Sequence, residues 1–230
     1  MPISIGDSWL KYERAAEHFN ALALDTEAYL ESGPQWSVAV RVPEAGVLEQ
    51  EFEVDPPPPA RLGTIVGDIA HNLRSALDVA AWQLALDHDE ANAISNQRRV
   101  YFPLYSDPHQ FRGAKSLQFF SDQARTAIER HQPFHVGNTA LLWLHEISNA
   151  DKHRVTTFSL AGMGAISGDD SGVTAFSPHL RFGSADGHLG LIGIRAMIAA
   201  VGAVLQDLDD QFGAGPPDID AILDDLPDKP

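Results

Sequence analysis

The stretch from Ala60 to Leu86 constrains this chain more than any other. Leu62, Val66, Ile69, Leu73, Ala76, Leu77, Ala80 and Leu84 recur at three- and four-residue spacing. At about 100° per residue they share one broad face of a single long helix. Such a helix needs partners for that face, and the sequence offers them. A first helix is expected from a cap at Asp7 or Ser8 to about Leu30, with Leu10, Phe19, Leu22 and Leu24 as its apolar positions and Ser32-Gly33-Pro34 as its stop. A helix capped by Asn138 is expected to run to about Lys152, and a last long helix over about Gly187–Phe212.

Between the first two helices, Trp36, Val38, Val40 and Val42 alternate on one strand face, Pro43-Glu44-Ala45-Gly46 turns the chain, and Val47 to Val54 alternates back. This predicts a β-hairpin over about 36–54, followed by a stiff spacer at Pro56–Pro59. Arg98–Leu104 reads as extended, Pro108–Arg112 and Leu117–Arg130 as short helices with a break at Gln132-Pro133, and Val155–Leu160 and Val173–Phe182 as β-rich pieces. Gly162-Met163-Gly164 reads as a flexible connection, and the close acids Asp207, Asp209 and Asp210 as a solvated helix end. The expectation is a mainly α fold: a bundle of three or four long helices with a β-hairpin and small edge strands, forming one domain over 1–212, and an acidic, Pro- and Gly-rich tail over 213–230.

Composition narrows the function. With 44% hydrophobic residues, the 230-residue chain can bury a core without staples. It has no cysteine, which excludes disulfides, thiolate metal sites and cysteine catalysis. A formal charge of −16 opposes non-specific nucleic-acid binding, which rests on Lys and Arg meeting phosphates. The start, Met1-Pro2-Ile3-Ser4-Ile5-Gly6-Asp7, lacks the basic and apolar run of a secretion signal. The most apolar stretch, Leu189–Leu205, carries Arg195 and three glycines and reads as a buried core helix. A cytoplasmic protein that does not engage a membrane is expected.

Two polar helical segments stand out. In the first, His71, Arg74 and Asp78 lie opposite the apolar face within about 60° of arc. Arg74 and Asp78 are an i, i+4 pair. Trp82 and Ser75 lie beside them, and a tryptophan there implies that this polar side is covered. A covered Arg–Asp–His set must be hydrogen-bonded, either to fix packing or to wall an active site. In the second, the apolar Leu141–Ile147 run turns polar through Ser148-Asn149-Ala150-Asp151-Lys152-His153-Arg154. His145, Asn149 and His153 fall on one stripe. Lys152 and Arg154 suit the helix dipole. A histidine suits proton transfer near neutrality, and an asparagine can orient it or donate to an oxyanion.

His71-Asn72-Leu73-Arg74-Ser75-Ala76-Leu77-Asp78 paired with Asn149-Ala150-Asp151-Lys152-His153-Arg154 resembles a group of bacterial helical proteins common in actinobacteria, to which no function attaches. Phe102-Pro103 and Gln132-Pro133 fit the same group, and the likeness spans roughly 67–157. More distantly, Ser148-Asn149-Ala150-Asp151-Lys152-His153 is similar to the motif of the HEPN superfamily. Those are helical bundles, usually dimeric, and many are metal-independent RNases of toxin and defence systems. Asn149 and His153 match the motif, whereas its arginine position holds Ser148, which cannot neutralise a phosphate. Arg74 or Arg154 would have to replace it in space.

The remaining chemistries lack their motifs. Asp68, His71, Asp78, His145, Glu146 and His153 supply metal donors, but none forms a His-Glu-x-x-His or Glu-x-x-His pair, so no metal is assigned. Walker A, Gly-x-Gly-x-x-Gly and Gly-x-Ser-x-Gly sequences are absent, and no cofactor is expected. Two readings stay open. One is a non-catalytic interaction or regulatory protein that self-associates as a homodimer and engages a protein partner. The other is a metal-independent HEPN-like RNase, with His153 as general acid or base, Asn149 orienting it, and Arg74 or Arg154 on the phosphate. In either, His71, Asp78, Lys152 and Arg154 are the candidate binding residues.

Overall fold

The computed structural model describes residues 5–41, 49–153, 158–166, 175–184 and 187–213. The chain is mainly α. Helix α1 (Gly6–Glu31) packs along α2 (Arg61–Ser95), α5 (Thr139–His153) packs on α2, and α6 (Leu191–Phe212) packs on α1, α2 and α5. Together these form the expected bundle of four long helices.

The inward face of α1 is Trp9, Tyr12, Ala16, Phe19, Ala23 and Thr26, all buried. Their spacing alternates between three and four residues, which keeps one narrow stripe facing the core. Leu10 and Leu24 fall off that stripe and stay 63% and 66% exposed, so two of the four apolar positions expected to be buried are not. Ile5 occupies the position before the helix and no side chain caps it; Asp7 and Ser8 lie inside the first turn instead of capping it. Asp7 there still complements the helix dipole. The helix stops as expected, with Gly33 at φ 71°, a conformation that costs glycine little.

All eight apolar positions named for α2 are buried. The helix extends beyond Leu86, but with a break: Asp89 leaves helical geometry (φ −157°, ψ 91°), and its carboxylate accepts from the Asn92 amide at 3.1 Å, restarting the last turns. The predicted Leu117–Arg130 helix is instead a 3₁₀ turn at Lys115–Phe119 followed by α4 (Asp122–Arg130). Ser121 separates them because its hydroxyl accepts from the Ala124 amide at 3.2 Å, which makes it the cap. Pro108–Arg112 is helical as expected, α3, with its proline at the first position.

Strands β1 (Gln35–Arg41) and β2 (Glu49–Asp55) form the antiparallel hairpin, pairing Trp36 with Val54 and Val38 with Phe52. The turn expected at 43–46 lies outside the described residues. A second antiparallel sheet has the order β3 (Phe158–Ile166), β4 (Ala175–Ser184), β5 (Gly187–Leu189). It corrects two expectations. Gly162 and Gly164 pair with His179 and Ser177 inside the sheet and are not a loose connection, because glycine weakens a strand without forbidding it. The last helix begins at Leu191, since Gly187–Leu189 is spent on β5. Helix α6 is long and apolar enough to cross a membrane by length and composition, and half of its apolar window is buried. Ile194, Met197, Ile198, Val201, Leu205 and Leu208 carry that buried face.

The acids at the end of α6 are not simply solvated. Asp209 is 4% exposed and accepts from the Trp9 indole at 3.1 Å, tying α6 to α1. Asp207 draws in Arg130 at 3.0 Å, His131 Nε2 at 2.8 Å and Gln211 at 2.8 Å, tying α6 to the end of α4. The tail from residue 214 lies outside the described residues.

Candidate functional site

Pro103 is the origin of the site. A proline disfavours helical geometry in the residue before it, so the chain runs extended past Phe102. Extended backbone crossing a helix has amides and carbonyls that no ladder satisfies, and buried ones must find side chains. Arg74 and Asp78 supply them. The Arg74 Nε and Nη2 donate to Asp78 at 3.2 and 2.8 Å, a two-pronged pair. The same Nη2 donates to the Phe102 carbonyl at 2.6 Å, and Asp78 Oδ1 accepts from the Phe102 amide at 2.9 Å. One ion pair therefore holds both backbone groups of one residue. Gln132, fully buried, holds the backbone of three different residues. Its amide donates to the Pro103 and Ile128 carbonyls at 2.8 and 3.1 Å, and its oxygen accepts from the Tyr105 amide at 3.0 Å.

The result is a strap, residues 100–105, lashed across the polar face of α2. Phe102 and Leu104 enter the core, while the alternate residues Tyr101 and Tyr105 stay half-exposed. This answers why Trp82 lies beside the polar residues: the strap covers that side, and Ser75, Asp78, Val79, Trp82, Gln97 and Val100 line a shallow hollow of about 340 Å³ along it.

On the other side of the Arg74–Asp78 pair is a deeper cavity of about 300 Å³. Arg74, Asp78, Tyr101, Phe102, Leu104 and Tyr105 form one wall; His145 and Ser148 of α5 form the other. Ser148 is 5% exposed. The two polar segments read from the sequence thus meet at one cavity. A side-chain hydrogen bond with Tyr101, reinforced by burial, pushes the Tyr105 hydroxyl up to about 12, so Tyr105 presents a neutral hydroxyl at physiological pH.

The predicted site residues divide as follows. Arg74 and Asp78 are in the cavity wall. His71 is exposed and lines neither the cavity nor the hollow. Asn149, Lys152 and His153 fall in the last turns of α5, and their side chains lie outside the described residues, as does Arg154. Among the described residues no three metal-ligating side chains gather. Tyr101 and Tyr105, which line the cavity, and Gln132, which holds the strap, are not among the residues expected at the site; Phe102-Pro103 and Gln132-Pro133 enter only as features of the resemblance, as the end of an extended piece and as a helix break. Tyr101 and Tyr105 alternating with Phe102 and Leu104 was the available signal.

Compared with protein-family models, with curated proteins and with solved structures, the chain matches none. The site is read from its own geometry.

Proposed function

We propose that the chain is a non-catalytic interaction or regulatory protein, built on a HEPN-like bundle, that self-associates as a homodimer in the cytoplasm and engages a protein partner. The observation that supports this is how Arg74 is used. A HEPN-like RNase needs a cation able to meet phosphate, and the motif position itself holds the uncharged Ser148. Arg74 is the substitute on the neighbouring helix, yet its charge is paired with Asp78 and it donates to the Phe102 carbonyl, with its side chain 13% exposed. Withdrawing it toward a phosphate would leave Asp78 and the strap uncompensated.

A metal-independent HEPN-like endoribonuclease of a toxin or defence system is the second reading. It is favoured by one observation: Arg74 and Ser148 line the same cavity, so a guanidinium lies beside the helix position where the motif arginine belongs. Here His153 serves as general acid or base on a ribose 2′-hydroxyl, Asn149 orients it, and Arg74 or Arg154 meets the phosphate.

RNA cleavage by the purified protein, with and without EDTA and beside His153→Ala, separates them. The first reading expects intact tRNA, rRNA and mRNA. EDTA-resistant cleavage that disappears in His153→Ala overturns it in favour of the second. Sedimentation of the same sample tests the dimer, which a monomer at micromolar concentration would remove.

A further inference from the structure

The cavity between the strap and α5 has a chemistry of its own. Among the described residues that line it, the one cation, Arg74, and the one carboxylate, Asp78, are bonded to each other at 2.8 Å and largely cancel. The other polar side-chain groups of those described residues are the hydroxyls of Tyr101, Tyr105 and Ser148 and the imidazole of His145. Each hydroxyl can donate or accept as its hydrogen rotates. Phe102 and Leu104 complete the wall with apolar surface. At about 300 Å³ the space falls at the lower end of small-molecule sites.

We propose that this cavity binds a small, uncharged aromatic carboxamide. The assignment rests on the reading of Arg74 as a structural group. A carboxylate would bring a charge to a cavity whose cation is already neutralised, and burying an unpaired charge is costly. An ammonium meets the same penalty, because Asp78 is occupied by Arg74 and by the Phe102 amide. A carboxamide carries one acceptor and two donors on a planar group, which rotating hydroxyls can match. Its ring fits beside the tyrosine edges and the apolar wall.

Three probes of one shape test this: benzamide, benzoate and benzylammonium, titrated into the full chain at about pH 8, above the ordinary imidazole range. Binding is read by NMR shifts of the protein. Benzamide is expected to bind in the millimolar range, as suits so small a ligand, and at least about tenfold more tightly than either ion. Ser148→Leu, which fills the cavity, and the milder Tyr105→Phe are each expected to weaken benzamide, with melting temperature measured alongside; the milder variant keeps the test open if the larger one unfolds. Preference for benzoate, no benzamide binding, or benzamide binding untouched by a folded Tyr105→Phe and Ser148→Leu overturns the assignment. Cleavage of RNA by a protein that also binds benzamide would overturn the non-catalytic reading and leave the cavity assignment standing. Absence of both overturns the cavity assignment alone.

Discussion

The strap over α2 and the seam between α1 and α6 both bury polar atoms, and they treat them oppositely. In the strap, Arg74, Asp78 and Gln132 match the Phe102, Pro103 and Tyr105 backbone group by group. In the seam, Trp9 donates to Asp209, but the Ser8 and Tyr12 hydroxyls are buried with no hydrogen-bond partner among the described residues. The difference follows from what each region must hold. The strap is irregular chain, whose backbone groups are costly if unmatched, so its side chains are recruited for hydrogen bonding. The seam joins two helices whose backbones are already satisfied internally, so its side chains are placed for volume, and a hydroxyl at the end of a packed ring is tolerated.

The sharpest way to break this contrast is Gln132→Leu. It keeps bulk but removes three hydrogen bonds and strands a buried amide and carbonyl, which costs about 3 kcal/mol. For a chain this size that lowers the melting temperature by roughly 6–12 °C. A melting temperature within about 2 °C of wild type, in a thermal scan followed by circular dichroism, would mean that the strap is not held by its backbone bonds. Arg74→Met should follow, at about 2 kcal/mol, because Asp78 loses its counter-charge yet is exposed enough to be solvated in part. Hydrogen exchange at the Phe102 amide, which donates to Asp78, should quicken in this variant well before that of the α2 core does.

How legible this was depended on the kind of interaction. Periodicity exposed the buried face of α2 from Leu62 to Leu84, because a helix that buries one face must repeat its apolar residues, but not the break at Asp89 or the turns beyond it to Ser95. It exposed α1 only in part: Leu10 and Leu24 carry as much apolar character as Phe19, and only the facing helix decides which stripe is buried. Arg74–Asp78 was visible as an i, i+4 pair, and Trp82 signalled that something covered it. The strap as the cover was not visible, since which backbone groups Gln132 reaches is set by tertiary placement and leaves no periodic trace. Asp209 was misread as solvated for the same reason: its partner, Trp9, lies at the far end of the sequence.

The seam makes the converse claim, that volume rules there. Gly202 is pressed against Tyr12, and a Cβ at that position would lie 2.8 Å from the hydroxyl oxygen and 3.1 Å from the ring carbon bearing it. Gly202→Ala should therefore destabilise by about 1–2 kcal/mol through overpacking, despite alanine's better helix propensity. Tyr12→Phe alone should be near neutral, since it removes an unpartnered hydroxyl. Combined with Gly202→Ala, it should recover much of the loss, and a double-mutant cycle by chemical denaturation measures the coupling. Strict additivity would show that the hydroxyl is not the point of contact.

The smallest effect is silent at neutral pH and separates the two regions by cause. Burial alone raises the Tyr12 hydroxyl in the seam, whereas at the cavity a hydrogen bond with Tyr101 leads and burial adds to it, taking Tyr105 to about 12. Tyr29, raised by burial and by the nearby Asp55 charge, belongs with them. All three have folded values above the ordinary tyrosine value of about 10. A raised folded pKa means that the native state holds the proton more tightly. The stability this confers is fully present below about pH 10 and is lost as pH climbs through the folded values, between about 10 and 12 for Tyr105. Melting temperature should accordingly be insensitive to tyrosine ionisation up to about pH 10 and fall above it. Tyr105→Phe should remove Tyr105's own share of the fall, which lies between about pH 10 and 12, and leave the shares of Tyr12 and Tyr29, and Tyr101→Phe should bring Tyr105 back toward its ordinary range without moving Tyr12. Phenolate absorbance followed against pH decides this: a Tyr105 that ionises near 10 in the folded protein would mean that the Tyr101 hydrogen bond does not govern the cavity edge, while a Tyr12 that shifts with Tyr101→Phe would mean that strap and seam are not separate regimes.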